Sequence, residues 1–241
     1  ISITCLVMAM YAYQSARVIA PALGLGFVFM YGKDFVKFSK QSVMAGLLLM
    51  ILLLPLGVSV IRTDASSRLS GVGLLADEGP LNRAKELRGQ HSDWSGLIPR
   101  VLHNRLITYP IRFLENYLDH FNGNFLFVNG DQIERNKVPE TGLLYLSDIV
   151  FLLAGAVFLL RSKNPYTKII WLWLLVAPLA SAMTFQTPHA LRAQNMVIPL
   201  TIIVSLGAYD VLKHWKLFGI CVLGFVYLWQ VIRYLHEYYV H

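Results

Sequence analysis

The chain has 241 residues, of which 56% are hydrophobic and only 15% are charged, and its mean hydropathy is +0.52. A soluble domain of this length does not need so much apolar residue, and here the apolar residues come in blocks of membrane-spanning length. The composition therefore excludes an ordinary soluble protein and predicts an all-α integral membrane protein. The net charge of +7 comes from the apolar blocks and their short connections, so it does not favour nucleic-acid binding.

About seven apolar segments are expected to span the membrane, and one long polar stretch divides them. The first block, residues 1–61, contains three segments, and the chain is expected to begin inside the first one, as a fragment of a longer protein. The second block, residues 142–241, contains four segments. The expected spans are 1–13, 18–31, 42–61, 142–160, 169–184, 193–211 and 217–234.

The stretch between the blocks, residues 62–141, contains equal numbers of basic and acidic residues. It is too long for a simple connector and is expected to have structure of its own. Pro80–Gln90 is expected to be helical. Apolar residues recur at helical spacing over Pro99–Phe121 and predict an amphipathic helix, broken near Pro110, that lies on the membrane surface or caps the spans. Packing of this helix inside a small soluble domain is the alternative.

Basic residues in short connections predict the orientation, because they favour the cytoplasmic side. If the spans alternate, most of these residues fall on one side: Lys33, Lys37, Lys40, Arg161, Lys163, Lys168, Lys213 and Lys216. The opposite side has Arg17, Arg192 and Arg233 outside the long polar stretch. The polar stretch is therefore predicted to be a large extracytoplasmic loop of a plasma-membrane protein.

The segment Thr184–Pro199 (TFQTPHALRAQNMVIP) joins two apolar blocks and places His189 and Arg192 at the mouth of a span. A charged residue in that position is costly unless it has a partner, so it marks a candidate functional site. An arginine that only extends to the lipid headgroups is the alternative. Arg17 is predicted to face the same side, with Tyr13 and Gln14 beside it as supporting candidates.

Asp148 is expected about two turns inside the span 142–160, toward the outer face. A carboxylate at that depth should pair with a cation or a hydroxyl group, or else form an ion pair that only ties helices together. The cationic candidates are Arg17, His189 and Arg192. Several cations at an outer membrane mouth suit a lipid-linked phosphate, whose oxygens match the planar donors of arginine.

Nothing in the sequence predicts a metal or another cofactor. His91, His103 and His120 lack metal-ligand spacing, and the chain contains no phosphate-binding GxxxxGK, dinucleotide fingerprint or HExxH motif.

Four segments that cover most of the chain carry a family resemblance: YAYQSARVIAPAL, RFLENYLDHFNGNFLFVNGD, GLLYLSDIVFLLAGAVFLL and APLASAMTFQTPHALRAQNMVIPL. In this order they resemble the C-terminal portion of bacterial GT-C membrane glycosyltransferases, the superfamily of protein O-mannosyltransferases and the lipid A aminoarabinose transferase (family 39 and relatives). The resemblance implies a sugar donor linked to undecaprenyl or dolichyl phosphate, and transfer with inversion on the extracytoplasmic face. By analogy, Arg17, His189 and Arg192 would hold the donor phosphate.

The same resemblance places the catalytic base in a first outer loop upstream of Ile1, so no catalytic residue is predicted in this chain. Two other functions stay open. A lipid-phosphate flippase or transporter subunit would use the same cations without chemistry, but it would need a continuous polar lining across the membrane. An O-antigen ligase or polymerase would also present Arg and His beside a large outer loop. The sequence identifies neither the sugar nor the acceptor, which could be a protein, a lipid or a glycan.

Overall fold

The computed structural model describes residues 2–35, 40–61, 71–213, 215 and 217–240. In this part of the chain the regular structure is helical, apart from one β-bridge between Gly73 and Thr184. The all-α prediction is therefore confirmed. The chain forms two compact units, the first made of residues 1–118 and 180–187 and the second of residues 119–179 and 188–241. The sequence divides the chain differently, into the segments 1–61, 62–141 and 142–241. This division concerns membrane topology and not compact units, and it stays a prediction.

The first unit contains most of the N-terminal helices. Their bounds are α1 Ser2–Ala12, α2 Ala16–Phe35, α3 Lys40–Ile61, α4 Gly79–Gly89, α5 Leu97–Leu102 and α6 Arg105–Asp119. Met10, Ala20 and Leu56 form a small buried cluster that packs α1, α2 and α3 together. The last helix is anchored by the buried Asn116, whose Nδ2 donates to the carbonyl oxygen of Thr184 at 2.9 Å.

The helical segment predicted over Pro99–Phe121 is interrupted at His103 and Asn104, between α5 and α6, and not near Pro110. The Asn104 side chain accepts a hydrogen bond from the Ile107 backbone nitrogen at 3.1 Å, which caps the first turn of α6. Pro110 lies inside α6. The prediction of a break near Pro110 is wrong: the break lies earlier, where the Asn104 side chain caps a new helix, and this helix continues through the proline.

The second unit contains the remaining helices, α7 Asp148–Arg161, α8 Thr167–Val176, α10 Val197–Leu212 and α11 Leu217–Val240, and it shares the short α9 Leu179–Ala182 with the first unit. A π-helical turn, Asn124–Val128, and a 3-10 turn, Glu134–Asn136, precede α7. The core of the unit joins the π-helical turn to the helices through buried apolar side chains: Phe125, Leu126, Leu159, Leu174, Met196, Leu200 and Ile203. The loop before α7 is therefore part of the folded unit.

Two glycines allow α7 and α10 to pack with their backbones in contact. A Cβ atom placed on Gly155 would overlap the carbonyl oxygen of Ile203, and one placed on Gly207 would overlap the carbonyl oxygen of Phe151. Small residues at such crossings are typical of helices packed in membranes.

Within the described residues, two helical segments are long and apolar enough to cross a membrane, Gln194–Leu212 and Gly219–Val240. Shorter apolar helices coincide with other predicted spans: Ile3–Ala12, Ala16–Gly32, Val43–Ser59 and Thr167–Ala182. The number of seven spans and the extracytoplasmic position of residues 62–141 stay predictions. Lys37, Lys216 and residues 62–70, on which the predicted topology also depends, lie outside the described residues.

The glycine contact between α7 and α10 predicts a steric penalty for even one added methyl group. Gly155→Ala should lower the free energy of unfolding by about 1–3 kcal/mol, the usual cost of overpacking a tight core. Thermal unfolding of the protein in detergent would measure it. Gly224→Ala is the control in the same unit, because no atom lies within 4 Å of a Cβ placed there. Equal melting temperatures for Gly155→Ala and the unsubstituted protein would contradict the contact.

Candidate functional site

The predicted site segment connects α9 to α10 without regular helix until the 3-10 turn Gln194–Met196. Residues up to Thr187 belong to the first unit, and the segment from Pro188 onward belongs to the second. His189 and Arg192 therefore lie in the second unit, immediately before the candidate span Gln194–Leu212. This position agrees with a site at the mouth of a span.

The centre of this site is the carboxylate of Asp131, which is only 1% exposed. Its Oδ1 accepts a hydrogen bond from the Ile133 backbone nitrogen at 2.9 Å. Its Oδ2 accepts hydrogen bonds from the Ala190 backbone nitrogen at 2.7 Å and from Nδ2 of Asn136 at 3.2 Å. Three donors from two distant segments thus compensate a charge that would be costly to bury alone.

His189 lies against this carboxylate. Its Nδ1 is 3.4 Å from Oδ2 of Asp131, and its own backbone nitrogen donates to Nε2 of the buried His120 at 3.3 Å. Because Nε2 of His120 accepts this bond, the proton of a neutral His120 ring is assigned to Nδ1. The two histidines and the carboxylate form one buried polar cluster.

The pKa of His189 is lowered mainly by burial of the ring, and further by the nearby positive charges of Arg192 and Arg135. The negative charge of Asp131 acts in the opposite direction without reversing the shift. His189 is therefore neutral at pH 7, because its ordinary pKa is already about 6.5. His189, one of the cationic candidates, therefore contributes a neutral ring, and the positive charge beside it belongs to the arginines.

Arg135 is a candidate residue that the sequence pattern does not single out. It lies in the 3-10 turn Glu134–Asn136, next to the residue that hydrogen-bonds Asp131, and its charge acts on His189. In the turn-rich sequence NGDQIERNK it looks like an ordinary arginine on a solvated loop. Only the folding of this turn onto Ala190 brings it to the site.

Asp148 is the first residue of α7 and is buried, but it does not lie two turns inside a helix as expected. The residues from Gly142 to Ser147 are irregular, and the Leu144 backbone nitrogen donates to the Leu126 carbonyl oxygen at 2.8 Å. One carboxylate oxygen of Asp148 accepts a hydrogen bond from the Tyr145 backbone nitrogen at 2.9 Å, and the other accepts one from the hydroxyl group of Tyr227. The sequence predicted a cation or a hydroxyl group as the partner of Asp148, and the structure shows a hydroxyl group.

A second pair of contacts joins the same region to α11. Nε2 of Gln230 donates to Oγ of Ser147 at 2.8 Å, and Nη2 of Arg233 lies 3.3 Å from Oε2 of Glu140. Between residues 127–146 and α11 lies a cleft of about 970 Å³. Its charged lining residues are Asp131, Arg135, Lys137, Glu140, Asp148 and Arg233.

Arg17, Tyr13 and Gln14 belong to the first unit, where they form the turn between α1 and α2. The Tyr13 carbonyl oxygen accepts a hydrogen bond from the Ala16 backbone nitrogen, and the Gln14 carbonyl oxygen accepts one from that of Arg17. Tyr13 and Gln14 are exposed. Nε of Arg17 donates to the Met10 carbonyl oxygen at 3.1 Å. The structure thus places these three candidates together, in the unit that does not contain His189 and Arg192.

No group of three or more His, Cys, Asp or Glu side chains in the described ranges could hold a metal ion.

The lowered pKa of His189 predicts a loss of stability in acid. The unfolded chain binds a proton at this residue below a pH of about 6.5, while the folded chain resists it, so the free energy of unfolding should fall as the pH drops through that value. His189→Gln should reduce this dependence, measured as the melting temperature from a pH of about 8 to about 5. His236→Gln is the control, because that side chain is 58% exposed. Identical pH profiles for His189→Gln and the unsubstituted protein would contradict the assignment.

Comparison with known proteins identifies no relative: no protein-family model, no curated protein and no solved structure matches the chain.

Proposed function

We propose that this chain is part of a membrane glycosyltransferase of the GT-C type, which transfers a sugar from a polyprenyl-phosphate-linked donor on the extracytoplasmic face. The observation that supports this most directly is the position of Arg192. It is partly buried, it lies two residues before the candidate span Gln194–Leu212, and its neighbour His189 is neutral. A polyprenyl phosphate presents its anionic group at this boundary between headgroups and hydrocarbon.

Arg192 would act by binding the phosphate through two parallel hydrogen bonds. When the sugar leaves, negative charge increases on the lipid phosphate, and a fixed cation at that position stabilises it. Neutral His189 would add hydrogen-bonding capacity without a second charge, and Asp131 would keep its ring in place. No residue of this chain is assigned as the catalytic base.

The proposal includes seven spans in alternating orientation, with residues 62–141 outside. One set of contacts and one exposed surface support this topology. Glu140 and Ser147 contact Arg233 and Gln230 in the C-terminal half of α11, and alternation requires these residues to lie on the same side. In addition, α5 and α6 expose large apolar side chains beside arginines, with Leu97 80% and Leu106 84% exposed, as suits a membrane surface.

Arg192→Ala should weaken binding of undecaprenyl phosphate by the protein in lipid nanodiscs roughly ten- to hundredfold, because a charge-assisted hydrogen bond contributes about 1.5–3 kcal/mol. Arg192→Lys should restore only part of the affinity, since an ammonium group lacks the bidentate geometry. Native mass spectrometry or a fluorescent lipid-phosphate titration would measure the affinity.

Arg161→Ala is the matched control, because Arg161 is an exposed arginine in the last turn of α7, on the predicted cytoplasmic side. Full affinity of the Arg192→Ala variant would reject the phosphate site and favour an arginine that only contacts headgroups. Full affinity of the Arg192→Lys variant would reject the bidentate geometry.

The proposed topology predicts different accessibility of two exposed positions, Asn129 and Lys163. In a variant with Cys5 and Cys221 replaced, a cysteine introduced at Asn129 should react with a membrane-impermeant thiol reagent in intact cells. A cysteine introduced at Lys163 should react only after the cells are permeabilised. Labelling at Lys163 in intact cells would overturn the orientation.

A further inference from the structure

The cleft between residues 127–146 and α11 has the size of a binding site for a small ligand. Its volume of about 970 Å³ lies within the usual range for such sites. It adjoins the candidate lipid-phosphate site, because Asp131 and Leu191 are among its lining residues. Most of its other lining residues have no role in the proposed binding of the lipid phosphate.

The acidic residues of the cleft are already compensated by the protein. Asp131 accepts hydrogen bonds from three donors, and Asp148 accepts them from a backbone nitrogen and the Tyr227 hydroxyl. Glu140 pairs with Arg233. The oxygen atoms of these carboxylates are therefore already engaged by donors of the protein.

The basic residues of the cleft are not all compensated in this way. Arg135 and Lys137 line it, and neither side chain makes a hydrogen bond or an ion pair with the residues that the structure describes. A guanidinium and an ammonium group with unused donors in a concave site attract an anionic group. The unused cationic donors of the cleft thus favour a ligand that carries a carboxylate or a phosphate.

The opposite wall provides flat aromatic surface. Gln230, Tyr234 and Tyr238 recur every four residues and so share one face of α11. The rings of Tyr234 and Tyr238 have centroids 6.4 Å apart and planes inclined by only 13°. Such aligned rings suit the C–H face of a sugar ring, while the tyrosine hydroxyls and the Gln230 amide can bind sugar hydroxyls.

We propose that this cleft binds a saccharide with an anionic substituent, whose charge contacts Arg135 and Lys137 and whose ring lies on Tyr234 and Tyr238. This is a ligand site additional to the lipid-phosphate site at Arg192. Its occupation does not depend on the transfer reaction, although a role for the ligand in transfer would rest on the proposed function.

The test is a titration of the purified protein with glucuronate, glucose 6-phosphate, glucose and inorganic phosphate, followed by saturation-transfer NMR of the ligand ring protons and by calorimetry. Glucuronate or glucose 6-phosphate should bind at least about tenfold more tightly than glucose, as expected for one charge-assisted contact. The double substitution Arg135→Gln, Lys137→Gln should remove this preference. The comparison of the two acids distinguishes a carboxylate from a phosphate ligand.

Folding of the double variant is checked by its melting temperature, which should not change because neither side chain contacts the protein through a hydrogen bond or ion pair in the described ranges. Lys85→Gln is the control for the loss of a basic residue outside the cleft, because Lys85 is exposed on α4. Tyr238→Ala should weaken binding of the acidic and the neutral sugar alike.

Absence of saturable binding by either acidic sugar would overturn the site, as would unchanged affinity in the double variant. Equal affinity for inorganic phosphate and glucose 6-phosphate would overturn recognition of the saccharide. Binding in the cleft together with failure to bind undecaprenyl phosphate would reject the proposed function alone, so the two proposals fail in distinguishable ways.

Discussion

The candidate site depends on the hydrogen bonds that the buried carboxylate of Asp131 accepts. This carboxylate joins the loop Gly130–Asn136 to the segment that enters α10, because the Ala190 backbone nitrogen donates to it at 2.7 Å. Removing one partner of a buried charge typically costs about 3–5 kcal/mol, since the remaining charge has lost its compensation. The ring of His189 lies beside the same carboxylate, with Nδ1 3.4 Å from Oδ2, and Arg192 follows three residues later, just before a candidate span.

Burial and charge explain why the positive charge of the site lies on arginine side chains and not on His189. A protonated His189 would have to share a buried position with the fields of Arg192 and Arg135, and the single carboxylate nearby does not compensate all three. The imidazole therefore stays neutral, and the two arginines supply the positive potential. In the cleft, Asp148 accepts a hydrogen bond from Tyr227, and Glu140 pairs with Arg233. Arg135 and Lys137, which also line the cleft, keep unused donors.

The architecture that supports the site combines close helix packing with a folded loop. Gly155 and Gly207 bring the backbones of α7 and α10 into contact, and Phe125 and Leu126 of the π-helical turn fill the adjacent core. Such π-helical turns are uncommon and are often found near functional sites. Because the turn is packed into the core, the residues that follow it, including Asp131, are held by the fold.

The sequence alone determined the features that depend on local pattern. Apolar blocks predict the helices because each backbone group must be paired within its own segment in lipid, and helical spacing predicts the amphipathic stretch that contains α6. The cost of a charge at a span marks Arg192. Only the tertiary structure decided which distant residues meet: Asp131 with His189, Asp148 with Tyr227, and Glu140 with Arg233. These contacts depend on how separate segments pack, and hydropathy carries no information about pairing. A side-chain hydrogen bond also overrode local pattern at Asn104, where a cap, and not the proline, marks the beginning of α6.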